Sequence, residues 1–302
     1  MRVKVILNPC ANRGRAAQLE DELALWGERY GGLDVVRTEA PGHAVVLAQL
    51  AAEAGYERIA AAGGDGTAHE VANGLMAVPS SRRPPMALIS MGSGNDYAFG
   101  LGMLAPAPAA VGRLFQGEPR LLDLAEVVNN RGQRRYVING VGIGFDAAVA
   151  IATSKIRRIR GFAAYLVAAL QTIALHYDRP HLELQFNDGH VRQKSLMLSI
   201  GVGPRIGGGF LLTPDAAFDD GQLDSCLVDP IGRLTMLRMM PKAMKGQHTT
   251  APFVKMRRGE SVEVRSDRPL PIHVDGEIFA TPEDGVTKLS IRSIPAALPV
   301  IF

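Results

Sequence analysis

The chain has 302 residues, of which 47% are hydrophobic, and a formal net charge of +3. This length exceeds that of one ordinary domain of about 100–200 residues and predicts two domains. The net charge is too small to indicate a nucleic-acid partner, and we expect none. The two cysteines, Cys10 and Cys226, exclude a disulfide framework and a cysteine-based zinc site and indicate a reducing compartment.

Two apolar stretches bear on membrane association. Residues 3–7 form a run too short for a signal peptide. Residues 161–177 fall short of the ~20 apolar residues that span a bilayer. We therefore expect a cytoplasmic protein that is soluble, or peripheral on the inner face of the membrane.

The first part of the chain alternates between strand and helix patterns, which predicts a mostly parallel sheet covered by helices. The predicted strands are Val3–Leu7, Leu33–Arg37, Arg58–Ala62 and Met86–Ser90. Apolar residues recur at helical spacing over 19–26, 44–54 and 68–76, and a short helix is predicted from Asp96.

After about Leu121 the pattern changes to short β-like runs separated by Gly, Asn and Asp, which predicts an antiparallel β domain. One long helical stretch, about residues 148–176, interrupts it. The predicted domains are residues 1–122 and 123–294, and it stays open whether residues 295–302 rejoin the first domain.

The strongest local motif is Gly63-Gly64-Asp65-Gly66-Thr67, between a predicted strand and a predicted helix. Glycines let backbone N–H groups approach an anion, and a helix N-terminus attracts it. The spacing of Thr67 and Glu70 predicts a capping box at this helix. An acid beside phosphate, Asp65, indicates Mg²⁺ or a proton-transfer role. The alternative is a tight turn without a ligand.

Two further loops follow predicted strands, Met91-Gly92-Ser93-Gly94 and Asn8–Arg15. In a parallel sheet such loops meet at one edge, where ligands bind. None of the loops has the Walker pattern. Gly142–Ala147 fits a dinucleotide-binding fingerprint formally, but basic residues stand where the ribose-binding acid is needed, so we expect a structural turn there.

The order of motifs resembles that of the bacterial diacylglycerol kinase-like lipid kinases. Residues 63–74, GGDGTAHEVANG, are similar to the GGDGTxxExxNG signature of the diacylglycerol kinase catalytic domain, and residues 91–98, MGSGNDYA, to its second signature. Similar segments follow at 123–124, 139–146, 219–224 and 275–277. Ser93 replaces the usual threonine and Ala125 a common glycine.

The resemblance implies a phosphofructokinase-like α/β nucleotide domain followed by a β-sandwich lipid domain, with ATP and Mg²⁺ as cofactors. It implies Glu277 as general base and Asp65, Asp96, Asp123 and Asp220 as a network around the catalytic magnesium. A second, structural metal would be held by Asp220 and by carbonyls around Ala217 and Gln222. The implied ATP contacts are Asn8, Pro9, Asn12, Arg13, Thr38, Gly63, Gly64, Asp65, Gly66, Thr67, Glu70 and Ser93.

The expected activity is phosphorylation of a lipid such as diacylglycerol, a related glycerolipid or a sphingoid lipid. The alternatives are a NAD-kinase-like or sugar kinase of the same fold, and a nucleotide-binding regulator without catalysis. Asp275-Gly276-Glu277 is itself a favoured hairpin turn, so a purely structural role for it stays open.

The expected partner is a lipid at a membrane surface, and a homodimer is a further expectation. Lys155, Arg157, Arg158 and Arg160 precede an apolar stretch and suit anionic headgroups, with a solvated helix start as the alternative. Met236, Met239, Met240 and Met244 recur at helical spacing, which fits either core packing or contact with acyl chains.

Overall fold

The computed structural model describes residues 1–156, 162–175 and 178–302. They divide into two compact units, one of residues Met1–Asp123 with Ala296–Phe302 and one of Leu124–Pro295. Of the basic residues considered above for membrane contact, Arg157, Arg158 and Arg160 lie outside the described residues, as does the side chain of Arg13.

The first unit is built on a parallel sheet, as its alternating pattern predicts. Its strands are β1 (Val3–Leu7), β2 (Asp34–Arg37), β3 (Arg58–Gly63) and β4 (Met86–Ser90). They are ordered β2-β1-β3-β4 and are all paired in parallel. The helices of this unit are α1 (Glu20–Glu28), α2 (His43–Glu53), α3 (Asp65–Met76), α4 (Asp96–Gly100) and α5 (Ala107–Gln116).

The core of the first unit explains this arrangement. Side chains of β1 such as Val5 and Leu7 are fully buried and pack with Leu23 of α1 and Leu114 of α5. A 3-10 helix at Ala11–Leu19 occupies part of the segment that we predicted as a loop. The last residues of the chain also belong to this unit, where Val300 pairs in parallel with Met86 of β4.

The second unit is antiparallel, again as predicted. Its strands are β5 (Pro119–Asn129, which begins in the first unit), β6 (Arg134–Val137), β7 (Gly140–Gly144), β8 (His181–Phe186), β9 (Gly189–Lys194), β10 (Met197–Gly201), β11 (Leu223–Val228), β12 (Val254–Gly259), β13 (Ser261–Ser266), β14 (Ile272–Val274), β15 (Glu277–Ala280) and β16 (Lys288–Ile301, which ends in the first unit). One of its sheets has the order β12-β11-β10-β7-β14-β15.

The described residues of the second unit form three α-helices: α6 (Phe145–Lys155), α7 (Phe162–Leu175) and α8 (Arg233–Met244). The prediction of one helical stretch over 148–176 is wrong, because α6 ends at Lys155 and Ile156 has an extended backbone. No helix among the described residues is long and apolar enough to cross a membrane.

Candidate functional site

The Gly63–Thr67 motif connects β3 to α3. Gly64 is the N-cap residue, and α3 begins at Asp65. The backbone N–H groups in the first turn of a helix have no acceptor within the helix and favour an anion there. The side-chain amide of Asn8, which follows β1, donates a hydrogen bond to the Thr67 hydroxyl at 3.2 Å. The first loop and the glycine motif are thus in direct contact.

The predicted capping box is wrong. Thr67 lies inside α3 rather than at its cap, and its side chain is buried against Gly63. The Glu70 carboxylate instead accepts hydrogen bonds from the N–H groups of Gly42 and Ala44, at 2.8 and 3.0 Å. Glu70 therefore stabilises the N-terminus of α2 and joins α2 to α3.

The second glycine loop packs directly on the first. The Met91 N–H donates to the Gly63 carbonyl at 2.7 Å. A Cβ atom placed on Gly92 would lie 2.5 Å from the Cα atom of Gly64, so position 92 requires glycine, and a Cβ on Gly64 would make a tight contact of 3.2 Å with the Cα atom of Gly92. Asn95 has a left-handed backbone with φ of 52° and closes the loop through two hydrogen bonds with Gly92.

Two of the predicted catalytic acids lie beside these loops. Asp65 accepts a hydrogen bond from the Tyr97 N–H at 3.2 Å, which links the start of α3 to the start of α4. Asp96, the first residue of α4, is buried. A small cavity between the loops is lined by Gly63, Gly64, Asp65, Ser90, Asn95 and Tyr97, among others.

These acids fit a magnesium site of the kind that kinases use. Mg²⁺ is usually bound by one or two carboxylates, waters and substrate phosphates rather than by a complete protein cage. The described residues contain no group of three or more His, Cys, Asp or Glu side chains arranged for a metal. Asp65 and Asp96, at adjoining helix N-termini, could supply such a pair of carboxylates, and their role toward Mg²⁺ stays a prediction.

The other predicted residues of the first unit have mixed environments. Asp123 is buried, and its carboxylate accepts a hydrogen bond from the Ala296 N–H at 2.8 Å, so it holds the returning end of the chain. Thr38 follows β2, and its N–H donates to the Leu7 carbonyl. Asn12 is an exposed residue of the 3-10 helix that follows β1, and Ser93 is an exposed loop residue after β4. Their roles toward ATP stay predictions.

In the second unit, Glu277 is exposed and is the first residue of β15. It follows a two-residue hairpin turn in which Asp275 and Gly276 both have positive φ angles, 51° and 86°. The Asp275 carboxylate accepts hydrogen bonds from three consecutive N–H groups, those of residues 138–140, at 2.8 to 3.0 Å. The turn that carries Glu277 is therefore fixed at its first residue.

The predicted structural metal site has a different set of contacts. Asp220 accepts a hydrogen bond from the Gln222 N–H at 2.9 Å and forms an ion pair with Arg258. Because the guanidinium occupies one carboxylate oxygen, a cation bound there would compete with Arg258. The assignment of Asp220, Ala217 and Gln222 to a metal stays a prediction.

Sequence reasoning did not find an apolar cavity of about 100 Å³ in the second unit. Strands β10 and β11, the three helices and the segment between the two strands contribute to its walls, which include Val149, Tyr165, Ala169, Met197, Phe210, Met236, Met239 and Met240. Burial raises the pKa of the Cys226 thiol in this wall to about 12, and burial lowers the pKa of His248. Both groups are therefore neutral. The signal in the sequence that could have indicated this cavity is the helical spacing of the methionines.

Asp146, also in the cavity wall, is fully enclosed by protein. Its carboxylate accepts hydrogen bonds from Tyr165, Ser199 and His273. Burial alone raises the pKa of Asp146, but the neighbouring His273 and these hydrogen bonds outweigh burial and place the pKa below its ordinary value. The side chain is thus a satisfied, buried carboxylate.

The dinucleotide-like segment Gly142–Ala147 is not the turn that we expected, because it consists of the end of β7 and the start of α6. Its glycines belong to β7, which pairs antiparallel with β10 and β14. A dinucleotide-binding fingerprint requires parallel strands joined through a helix. The segment therefore has the wrong topology for that cofactor.

The parallel sheet and its glycine loops are typical of a class of nucleotide-using kinases. Comparison with known proteins identifies the family within this class. Residues 2–127 match the model of the diacylglycerol kinase catalytic domain. Residues 139–302 match that of the YegS C-terminal NAD kinase beta sandwich-like domain. The chain belongs to the family of YegS-like and diacylglycerol lipid kinases.

Individual relatives are similar to this chain over most of their lengths. The chain is 32% identical to the "Probable lipid kinase YegS-like" of Chromohalobacter salexigens, across 87% of this chain and 84% of that protein. It is 29% identical to a diacylglycerol kinase of Staphylococcus aureus, across 91% of this chain and 86% of that protein. A crystal structure of a diacylglycerol kinase from Bacillus anthracis superposes with a TM-score of 0.75 at 19% identity, covering 100% of this chain and 96% of that one, and so shares the fold.

Proposed function

We propose that the protein transfers the terminal phosphoryl group of ATP to the hydroxyl group of a lipid, with Mg²⁺ bound to the nucleotide. The observation that supports a lipid as the acceptor is the apolar cavity of the second unit. Cys226 and His248 in its wall are neutral, and the carboxylate of Asp146 is enclosed by its hydrogen-bond partners. A sugar phosphate or NAD would need cationic and polar partners, whereas hydrocarbon needs this lining.

The glycine loops of the first unit have the features needed to bind the phosphates of ATP. The N-terminus of α3 and the backbone of Gly63–Thr67 would hold phosphate oxygens. Asp65 and Asp96, with Asp123 as a further member of the predicted network, would bind Mg²⁺ and its waters. When bound, the metal neutralises charge that develops on the phosphoryl group. Asn8 supports this arrangement through its hydrogen bond with Thr67.

Glu277 is the proposed general base. The lipid oxygen forms a bond to the γ-phosphorus while the bond from that phosphorus to the β,γ-bridging oxygen breaks, and ADP leaves. The proton of the lipid hydroxyl passes to the Glu277 carboxylate. An exposed carboxylate on a fixed hairpin turn suits this role, because it is accessible and its backbone is held by Asp275.

The outer surfaces of α7 and α8 support peripheral contact with the inner face of the membrane. Leu175, Leu234 and Leu237 are exposed on these helices. Arg238 and Lys242 of α8 are exposed as well, and so is Lys155 at the end of α6. Exposed leucines beside basic side chains fit an anionic bilayer surface.

The acceptor class can be tested directly. The protein is incubated with radiolabelled ATP and Mg²⁺ and with a total lipid extract, NAD or a mixture of sugar phosphates. We expect label in the lipid fraction alone. Label in NAD or in sugar phosphates would replace the proposal, and ATP binding without transfer to any acceptor would favour a regulator.

A further inference from the structure

A buried hydrogen-bond network connects the wall of the apolar cavity to the turn that carries Glu277. Its centre is Asp146, whose Oδ1 accepts a hydrogen bond from the Tyr165 hydroxyl at 2.8 Å. Its Oδ2 accepts from the Ser199 hydroxyl at 3.0 Å and from His273 Nε2 at 3.2 Å. Asp146 and His273 are at most 2% exposed. A carboxylate enclosed so completely must keep its partners to remain charged.

The sheet creates the space for this network at a single glycine. Gly142 of β7 is paired with His273 of β14 on one side and with Ser199 of β10 on the other. A Cβ atom on Gly142 would overlap both the His273 ring and the Asp146 carboxylate. The two flanking side chains can therefore meet Asp146 only because residue 142 has no side chain.

The two ring nitrogens of His273 have different partners. Nε2 faces the Asp146 carboxylate, and Nδ1 accepts a hydrogen bond from the Gly276 N–H at 3.3 Å. A neutral imidazole has one donor and one acceptor nitrogen, which matches this pair of contacts. Asp275 fixes the first residue of the turn, and His273 contacts the second residue, next to Glu277.

We propose that His273 is a positioning residue for Glu277. Tyr165 and Asp146 orient the imidazole, and the imidazole holds the Gly276 N–H, so the network sets the direction in which the Glu277 side chain leaves the turn. Tyr165 also lines the cavity, so the lipid chain would pack against one end of the network. This inference rests on the proposed role of Glu277 as base.

Two substitutions of His273 distinguish a role in positioning Glu277 from a role limited to hydrogen bonding with Asp146. In His273→Asn the amide oxygen can take the place of Nδ1 and accept the Gly276 N–H. In His273→Gln the amide nitrogen can take the place of Nε2 and donate to Asp146 while the contact with the turn is lost. Positioning predicts that His273→Gln lowers kcat by about 10²-fold, the cost of a misplaced group, and that His273→Asn retains more activity. The KM for ATP should be unchanged in both.

The decisive measurement is a double-mutant cycle with Glu277→Gln, using lipid acceptor and ATP below the melting temperature of every variant. We expect His273→Gln to cause no further loss of kcat once Glu277 is replaced. Equal losses in both backgrounds, or better activity in His273→Gln than in His273→Asn, would overturn the positioning role.

A third variant covers the case in which neither His273 variant folds. Tyr165→Phe removes one hydroxyl and keeps the ring, and should lower kcat by about threefold in the parent and not at all in Glu277→Gln. Unchanged kcat in Tyr165→Phe would then overturn the inference. If Glu277→Gln alone keeps more than about a tenth of kcat, the proposed base is wrong, and that result is separate from the outcome for His273.

Discussion

The two units build their candidate sites in different ways. In the first unit, backbone groups of short contiguous motifs form the loops, and the loops meet because parallel strands end at one edge. In the second unit, side chains from three helices and a sheet enclose the cavity. A site made of backbone can be recognised from local sequence, whereas a site made of distant side chains becomes visible only in the fold.

Glycine shows the same contrast. Gly92 is required because its backbone touches that of Gly64, and both glycines lie in motifs that glycine spacing reveals. Gly142 is required because it leaves room for side chains from other strands. Ser199 and His273, which flank it in the sheet, are more than fifty residues away in sequence, so no local sequence pattern could reveal the reason.

The largest expected effect tests the first unit. Clustered acids beside a phosphate loop need a cation before ATP can bind productively. Complete chelation with EDTA should abolish phosphoryl transfer, and added Mg²⁺ should restore it. Transfer that continues undiminished in EDTA would show that Asp65 and Asp96 do not act through a metal.

Gly64→Val should abolish detectable ATP binding. A Cβ on Gly64 would lie 3.2 Å from the Cα atom of Gly92, which is closer than an ordinary van der Waals contact. The substitution should therefore separate the two loops. Calorimetry with ATP measures this, and Gly232→Ala, where a Cβ meets nothing within 4 Å, is the control. Unchanged affinity for ATP in a folded Gly64→Val variant would show that the two loops are not part of the nucleotide site.

Glu277→Gln tests the second unit. It preserves shape but cannot accept a proton, so kcat should fall by about 10²–10⁴-fold while the KM for ATP changes little. The exposed Glu283 provides a matched control, since Glu283→Gln should retain parental kcat. Asp65→Asn should differ by changing nucleotide affinity as well as rate. Retention of more than about a tenth of kcat in Glu277→Gln would point to another base, with Asp65 next.

These contrasts explain which features of the fold and of the candidate sites could be predicted from the sequence. The parallel and antiparallel halves follow from hydrophobic patterning, and the glycine loops follow from motif spacing. The cap at α3 was mispredicted because the spacing of Thr67 and Glu70 fits a capping box, whereas tertiary contact takes Glu70 to α2. The network around Asp146 was missed because Tyr165, Ser199 and His273 converge from α7, β10 and β14.

A cavity-filling variant tests whether the lipid acceptor binds in the apolar cavity, and its expected effect is smaller. Ala169→Leu adds apolar atoms to the cavity wall, while the exposed Ala163 on the same helix provides the control Ala163→Leu. If hydrocarbon occupies the cavity, Ala169→Leu should raise the KM for a long-chain lipid by about tenfold, the scale of one to two methylene groups, and leave the KM for ATP unchanged. Equal lipid KM values for both variants, at similar melting temperatures, would place the lipid elsewhere.

The smallest effect concerns the stability of the second unit in acid. Burial raises the pKa of Asp146, but His273 and the hydrogen bonds from Tyr165 and Ser199 bring the folded-state pKa below the ordinary value of 3.8. For an acid whose pKa is lowered by folding, the stabilisation is present above the unfolded-state pKa and is lost as the pH falls through the folded-state pKa. As the pH falls below 3.8, the free energy of unfolding of the parent should therefore fall more steeply than that of Asp146→Asn, by up to about 1.4 kcal/mol per pH unit. Urea unfolding at each pH measures this slope, with Asp188→Asn as an exposed control in the same unit. Identical slopes for the parent and Asp146→Asn would mean that the network does not stabilise the charged carboxylate, and the orientation of His273 would then need another cause.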